Sequence, residues 1–593
     1  MWRPRFEDVS NLRLAALAVL VGVVAGYGAV AFRGLIAFFH NLSLFGQFSF
    51  IYDANTHADP SPLGVLVVLI PVVGAFVVVF LVRNFAPEAK GHGVPEVVDA
   101  IYYNRGVIRP VVALIKALAS SISIGTGGAV GREGPIIQIG SSFGSSLGQW
   151  IRMPEWQRIT LIASGAAGGI AATFNAPLGG LLFSIEIILP ETSARTLIPV
   201  ALATGAAAFV GRAVFGNTPS FNIPELAGYG LELTSLSQVA VYVLLGLLLG
   251  LAALFYIRSI YAVENLAERY VRNDYLRHAA GMFLVGLMMY LFMHHAGHYY
   301  IQGVGYATVQ DILTRALTDP WFLMLLFAAK MAATALTLGT GASGGVFSPA
   351  LFLGASLGAA FGGIIQAFAP GIGVDPATLA LVGMAAVVGS ATGAVLTAII
   401  MIFEMTRDYH AIIPLMITVS LAYGVRRLFM EDSIYTYKLA RRGHYVPDAL
   451  QTNLFMLRRA MDVIETPLIR VSSGEALGEI RRKYLGRRRN VPHVLVIDGD
   501  SITAVLTSER HWALTRSGDV QSWLEEHVGS RYIVVGREDM VFDIVGRMRA
   551  ENVEIALVTP TGKLEHPEDV VGVLTLSDIV RSSRLARQML RYH

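Results

Sequence analysis

Long apolar runs separated by short polar breaks fill the first three quarters of the chain, at roughly 14–39, 62–83, 110–124, 158–189, 197–215, 236–257, 279–294, 321–338, 346–368, 377–403 and 411–428. A helix rises about 1.5 Å per residue, so about 20 apolar residues cross the 30 Å hydrocarbon core of a bilayer. Several of these runs are too short or too rich in glycine to be simple spans. Irregular backbone at membrane depth is tolerated only where it is buried in protein or lines a cavity. The pattern therefore predicts an all-α polytopic membrane protein with closely packed, broken helices around a central site. From about 461 the pattern changes to short apolar runs alternating with amphipathic ones, as in α/β structure.

The membrane part repeats itself. Lys116, Gly125, Thr126, Gly127, Gly131, Pro135, Gly140, Gly144 and Gly148 recur 214 positions later as Lys330, Gly339, Thr340, Gly341, Gly345, Pro349, Gly354, Gly358 and Gly362. A second match, offset by 218, ends in a carboxylate in each copy, Glu186 and Glu404. Duplicated halves interrupted by Gly and Pro at corresponding places point to a transporter whose substrate sits between broken helices near the midplane. The halves are expected at about 10–215 and 236–440, and the charged segment from Glu264 to Arg277 has the density of a solvent-facing connection. The tail repeats as well: Leu468–Val471 parallels Tyr532–Val535, Asn490 through Val496 parallels Asn552 through Val558, and Ala504–Thr507 parallels Gly572–Thr575.

Composition agrees with a membrane protein. The chain has 593 residues, 54% of them hydrophobic, and its mean hydropathy of +0.55 is too high for a soluble protein of this length. Residues 441–593 hold 42 of the 89 charged side chains, which sets a domain boundary near residue 440. A net charge of +3 without a basic stripe gives no nucleic-acid surface. The absence of cysteine excludes disulfides, thiolate metal sites and cysteine nucleophiles. Arg3 and Arg5 at one end and Lys438, Arg441 and Arg442 after the last apolar run put both termini in the cytoplasm by the positive-inside rule.

Chemistry concentrates at Gly131-Arg132-Glu133-Gly134-Pro135. Ionisable groups at membrane depth are costly and are functional candidates by default. A helix starting at Gly134 or Pro135 would point unpaired N–H groups and the positive end of its dipole at the site, which suits an anion. Glu133 could fill that site when ionised and leave when protonated. A plain surface ion pair between Arg132 and Glu133 is the competing account. The second copy, Gly345-Val346-Phe347-Ser348-Pro349, offers backbone donors without a carboxylate, and that inequality favours a gate over packing.

With Gly91-His92-Gly93-Val94-Pro95 as a third Gly/Pro turn, the three signatures resemble, in order and spacing, the CLC family of chloride channels and chloride/proton antiporters. The resemblance covers about residues 10–440. It implies a homodimer with one ion pathway per subunit, eighteen partly broken helices in each, and two inverted halves; the expectations of no enzyme activity and no metal site rest instead on the absence of any cluster with nucleophile, base or metal-ligand spacing. The resemblance implies that Glu133 gates and transfers protons, and that the anion is held by His92, Gly134, the backbone of Val346 and Phe347, and Tyr435. A tyrosine hydroxyl holds an anion without trapping it.

Two positions depart from the family. His92 stands where a serine is usual; it either donates to the anion or turns away in favour of a backbone group. Ile187 stands where antiporters usually carry a second glutamate that relays protons, which favours a passive channel, whereas Glu186 beside it offers an alternative proton route or serves as a helix-packing carboxylate. The primary expectation is chloride/proton exchange, in a compact chain of a prokaryotic inner membrane, with chloride, protons and lipid as partners. The tail resembles a pair of cystathionine-β-synthase-type (CBS) modules, at 461–526 and 527–593 after a 441–460 linker. No cofactor is required, but Thr575 and Asp578 would contact the ribose of an adenine nucleotide (ATP, ADP or AMP), while Thr507 and Arg510 occupy the equivalent places in the first module without an acid. A divalent-cation transporter lacks the necessary intramembrane oxygen clusters here, and no cluster has the spacing of catalytic groups.

Overall fold

The computed structural model describes residues 9–190, 192–217, 221, 235–406, 411–442, 444, 446, 458–464, 467–472, 493–507, 531–551, 553–575 and 578–579. The chain divides into two compact units, Met1–Leu450 and Gln451–His593.

The first unit is helical. Its elements are α1 (Asn11–Phe45), α2 (Ile70–Phe85), α3 (Val94–Tyr103), α4 (Val111–Gly125), α5 (Glu133–Trp150), α6 (Glu155–Phe174), α7 (Pro177–Phe183), α8 (Ala194–Phe215), α9 (Leu236–Tyr270), α10 (Asp274–Ala296), α11 (Tyr306–Leu313), α12 (Pro320–Thr340), α13 (Phe347–Phe368), α14 (Pro376–Thr392), α15 (Val395–Thr406), α16 (Ile412–Phe429) and α17 (Thr436–Ala440). Eight helices among the described residues are long and apolar enough to cross a membrane. Two apolar runs that read as continuous are each broken. The first divides at Asn175 (φ 56°) into α6 and α7, and the second at Gly393 (φ 83°) into α14 and α15. Left-handed backbone at those residues stops one helix, and Pro177 opens the next in the first half.

The duplicated glycines mark close backbone crossings. A Cβ added at Gly140 would lie 2.2 Å from the Gly165 carbonyl oxygen, and one at Gly354 would lie 2.1 Å from that of Gly383. These two contacts join α5 to α6 and α13 to α14, the same joint once in each half. Small residues permit such approach, which drives helix association where lipid is as apolar as the side chains.

Two carboxylates tie the halves reciprocally. Glu186, in a π-helical turn after α7, accepts from the N–H groups of Leu396 and Thr397 and from the Thr397 hydroxyl, at the start of α15. Glu404, in α15, accepts from the N–H groups of Leu178 and Gly179, at the start of α7. Each caps the other's helix N-terminus, where unpaired donors and the dipole favour a negative charge.

In the second unit, β1 (Leu468–Ser472) pairs parallel with β2 (His493–Asp498), which pairs antiparallel with β3 (Ser501–Leu506). The same order recurs in β4 (Ile533–Gly536), β5 (Ile555–Thr559) and β6 (Gly572–Thr575). Between β4 and β5 runs a helix, Val541–Ala550, as parallel neighbours require a crossover. Arg3, Arg5, Arg510, the segment after β1 through Ile480, and most of the proposed linker lie outside the described residues.

Candidate functional site: a glutamate-closed anion pathway

Three glycine-bearing loops meet at the centre of the helical unit and are joined by backbone hydrogen bonds. Gly131 and Gly345 exchange N–H···O bonds of 2.7 and 2.6 Å, while Gly91 donates to Ala342 (2.9 Å) and accepts from Gly344 (3.2 Å). A side chain at Gly134 would meet the His92 carbonyl oxygen at 2.2 Å, so only glycine lets α5 approach the first loop. Two fully buried lysines brace these loops. Lys116 Nζ donates to the carbonyls of Ala89 and Gly91, and Lys330 Nζ donates to those of Ile301 and Gly303. The matched lysines hold matched loops: Gly303-Val304-Gly305-Tyr306 answers Gly91-His92-Gly93-Val94, with positive φ at all four glycines.

Glu133 begins α5 and is 1% exposed. Its carboxylate reaches across to the N-terminus of α13. There it accepts from the Ser348 N–H (3.2 Å), from the Ser348 hydroxyl (2.6 Å) and from the Tyr306 hydroxyl (2.5 Å). Arg132 pairs with neither of its neighbours as a surface ion pair would; its guanidinium lies 5.1 Å above the Tyr306 ring. The carboxylate thus sits at the N-terminus of α13, held by donors of the second half. Ser348 and Tyr306, which hold this carboxylate, are residues that sequence reasoning did not single out. Ser348 lies inside the second motif, one residue past the positions singled out. Tyr306 was findable through the glycine pair before it, offset by 212 rather than 214 from the first half.

Of the other expected ligands, Val346 caps α13 and Phe347 is its first residue, so helix geometry leaves their N–H groups without an intrahelical partner. The Val346 carbonyl accepts from Tyr256 (2.9 Å), and the Phe347 ring packs 5.5 Å from Phe174. Tyr435 is 3% exposed, its ring 6.2 Å from that of His92 and 6.5 Å from that of Phe183. His92, also 3% exposed, sits with Tyr435 rather than turning out to solvent. The Tyr261 hydroxyl donates to the Ile434 carbonyl (2.8 Å), so His92 Nε2, 3.3 Å from that hydroxyl oxygen, is the donor in their contact. His92 Nδ1 is left buried without a partner. A neutral ring in that tautomer offers an anion a lone pair; a protonated ring offers an N–H and a charge.

Glu186 lies apart from this cluster, with both carboxylate oxygens engaged as a helix cap. In the second unit Thr575 and Asp578 are brought together: the Thr575 N–H and hydroxyl both donate to Asp578 Oδ2, and His493 Nε2 lies 3.1 Å from the same oxygen. That carboxylate is committed to its own strand-to-helix turn. Among the described residues no group of three or more His, Asp or Glu side chains could hold a metal ion.

A family model described as "Voltage gated chloride channel" matches residues 74–427. The "H(+)/Cl(-) exchange transporter ClcA" of Vibrio cholerae is 32% identical over 439 residues, covering 73% of this chain and 91% of that protein. A slow cyanobacterial Cl−/H+ antiporter of known structure shares the fold over 72% of this chain and 98% of its own, with TM-score 0.62 at 24% identity. A eukaryotic CLC transporter covers 96% of this chain and 98% of its own, with TM-score 0.59 at 23% identity. The chain is an integral membrane protein and belongs to the voltage-gated chloride channel (CLC) family.

Proposed function

We propose that the chain exchanges chloride for protons through one pathway per subunit, with Glu133 as both gate and proton carrier. The carrying observation is that the ionised-type contacts of Glu133 use the donors an anion would use: an α13 N–H, the Ser348 hydroxyl and the Tyr306 hydroxyl. A carboxylate and an anion compete for those donors, and protonation removes the charge that holds the carboxylate there. Gly134, Val346 and Phe347 supply further backbone groups, and His92 and Tyr435 hold the anion deeper in the pathway. The names of the ClcA relatives support the substrates. Glu186 is assigned to helix capping, and Glu133 takes its proton without it.

Ile187 supports the competing reading, a passive chloride channel, because it cannot titrate. Liposome efflux with an external pH electrode separates the two. Uphill proton movement driven by a chloride gradient, lost in Glu133→Ala, is expected; fast chloride flux without proton movement in the unaltered protein would select the channel.

The same resemblance leads us to read the assembly as a homodimer in a bacterial inner membrane with cytoplasmic termini. The second unit is read as a CBS-type pair at 461–526 and 527–593. The repeated strand order supports that reading, and the turn at Thr575 and Asp578 is where an adenine nucleotide would bind. Protection of the full chain against thermal unfolding by ATP, lost in Asp578→Ala, is the outcome that supports it; no protection assigns the unit a purely structural role.

A further inference from the structure

Beside the Glu133 gate lies a cavity of about 20 Å³ lined by Arg33, His40, Tyr52, Arg132 and Gln302, among others. A water molecule needs about 10–15 Å³, so one small species fits. Half of its ten lining residues carry a polar side chain. Arg132 is 9% exposed, yet its Nε has no hydrogen-bond partner, and neither has the side-chain nitrogen of Gln302. Among the described residues neither Arg33 nor Arg132 forms an ion pair. Their guanidinium groups rest instead on aromatic faces, 4.5 Å above Phe215 and 5.1 Å above Tyr306. Asp53 acts on Arg33 through space, but from an exposed position where water screens it.

Buried donors without partners cost free energy, and a buried charge without a counter-charge costs more. Guanidinium and amide nitrogens donate only, so the cavity is arranged for an acceptor that also carries negative charge. A water molecule would satisfy the hydrogen bonds but leave the charge. A cation is repelled, and an oxyanion such as sulfate is too large. Along α1, Arg33 stands about 33 Å from Asn11, across the membrane from the helix start. Arg132 stacks on Tyr306, whose hydroxyl holds Glu133, so one side chain separates the cavity from the gate.

We infer that Arg33, Arg132 and Gln302 form a further anion site, on the far side of the gate from the start of α1, which holds a chloride-sized monovalent anion next to Glu133. Its use as a staging site rests on the anion-transport reading above, but its occupancy does not. Crystals of the full chain grown in bromide should show an anomalous peak within hydrogen-bond distance of Arg132 Nε and Gln302 Nε2, lost in Arg33→Gln/Gln302→Leu while any peak near Tyr435 persists. Absence of that peak in the unaltered protein overturns the inference, whatever the transport result. In planar bilayers with chloride varied on one face at a time, Gln302→Leu should raise half-saturating chloride about tenfold on the far face only, the loss of one charge-assisted hydrogen bond. An equal change on both faces, or none, contradicts the staging role; an unaltered protein that moves no chloride contradicts the transport reading instead.

Discussion

At Glu133 three donors from the second half of the chain, two from Ser348 and one from Tyr306, hold a carboxylate that belongs to the first half. A hydrogen bond to an ionised group contributes about 1.5–3 kcal/mol, so losing one of them tips the balance toward the released, protonated gate. Tyr306→Phe should therefore shift half-maximal chloride flux to higher pH by about one unit, the equivalent of about 1.4 kcal/mol, while keeping proton coupling. Flux measured against pH in proteoliposomes checks this, and an unshifted profile would show that Tyr306 is only packing. His92 makes a second prediction of definite sign. Its Tyr261 contact reserves Nε2, so anion binding needs a proton on Nδ1. Chloride affinity in the unaltered protein should rise as pH falls, because the imidazolium that attracts the anion forms at low pH, and His92→Ser should flatten that dependence. Calorimetric titration of chloride at several pH values reads it directly.

Helix termini, at the next scale, explain why the two halves carry matching charges. Lys116 and Lys330 each satisfy two carbonyls of a glycine loop that could not otherwise hold its shape in the interior. Lys330→Met should cost about 2 kcal/mol through the unsatisfied carbonyls, visible as a lower unfolding midpoint in detergent. Glu186 and Glu404 cap each other's helices, and a cap is worth about 1 kcal/mol. Glu186→Gln keeps most of that geometry, so it should retain proton-coupled exchange; loss of coupling with unchanged stability would restore Glu186 as a proton route. The duplicated lysines, glycines and carboxylates were legible in the sequence because each repeats a joint of the fold. Their partners were not. Tyr306 escaped because its counterpart is Val94 and its loop is two residues out of step with the motif alignment, and Glu186 stayed open between a proton route and a helix-packing carboxylate because the helix it caps lies 210 residues away.

Over the whole molecule, the chain divides into two compact units, Met1–Leu450 and Gln451–His593. The breaks inside long apolar runs were harder to read. Asn175 and Gly393 are single residues whose left-handed backbone hydropathy does not register. What the duplication yields is an asymmetric pair of helix termini: α5 begins with the Glu133 carboxylate, and α13 carries donors that hold it. That account stands or falls on coupling. The direct test is chloride-driven proton movement in proteoliposomes, comparing the unaltered protein with Glu133→Ala. The account predicts uphill proton transport in the first and uncoupled chloride flux in the second; equal proton transport in both would contradict it.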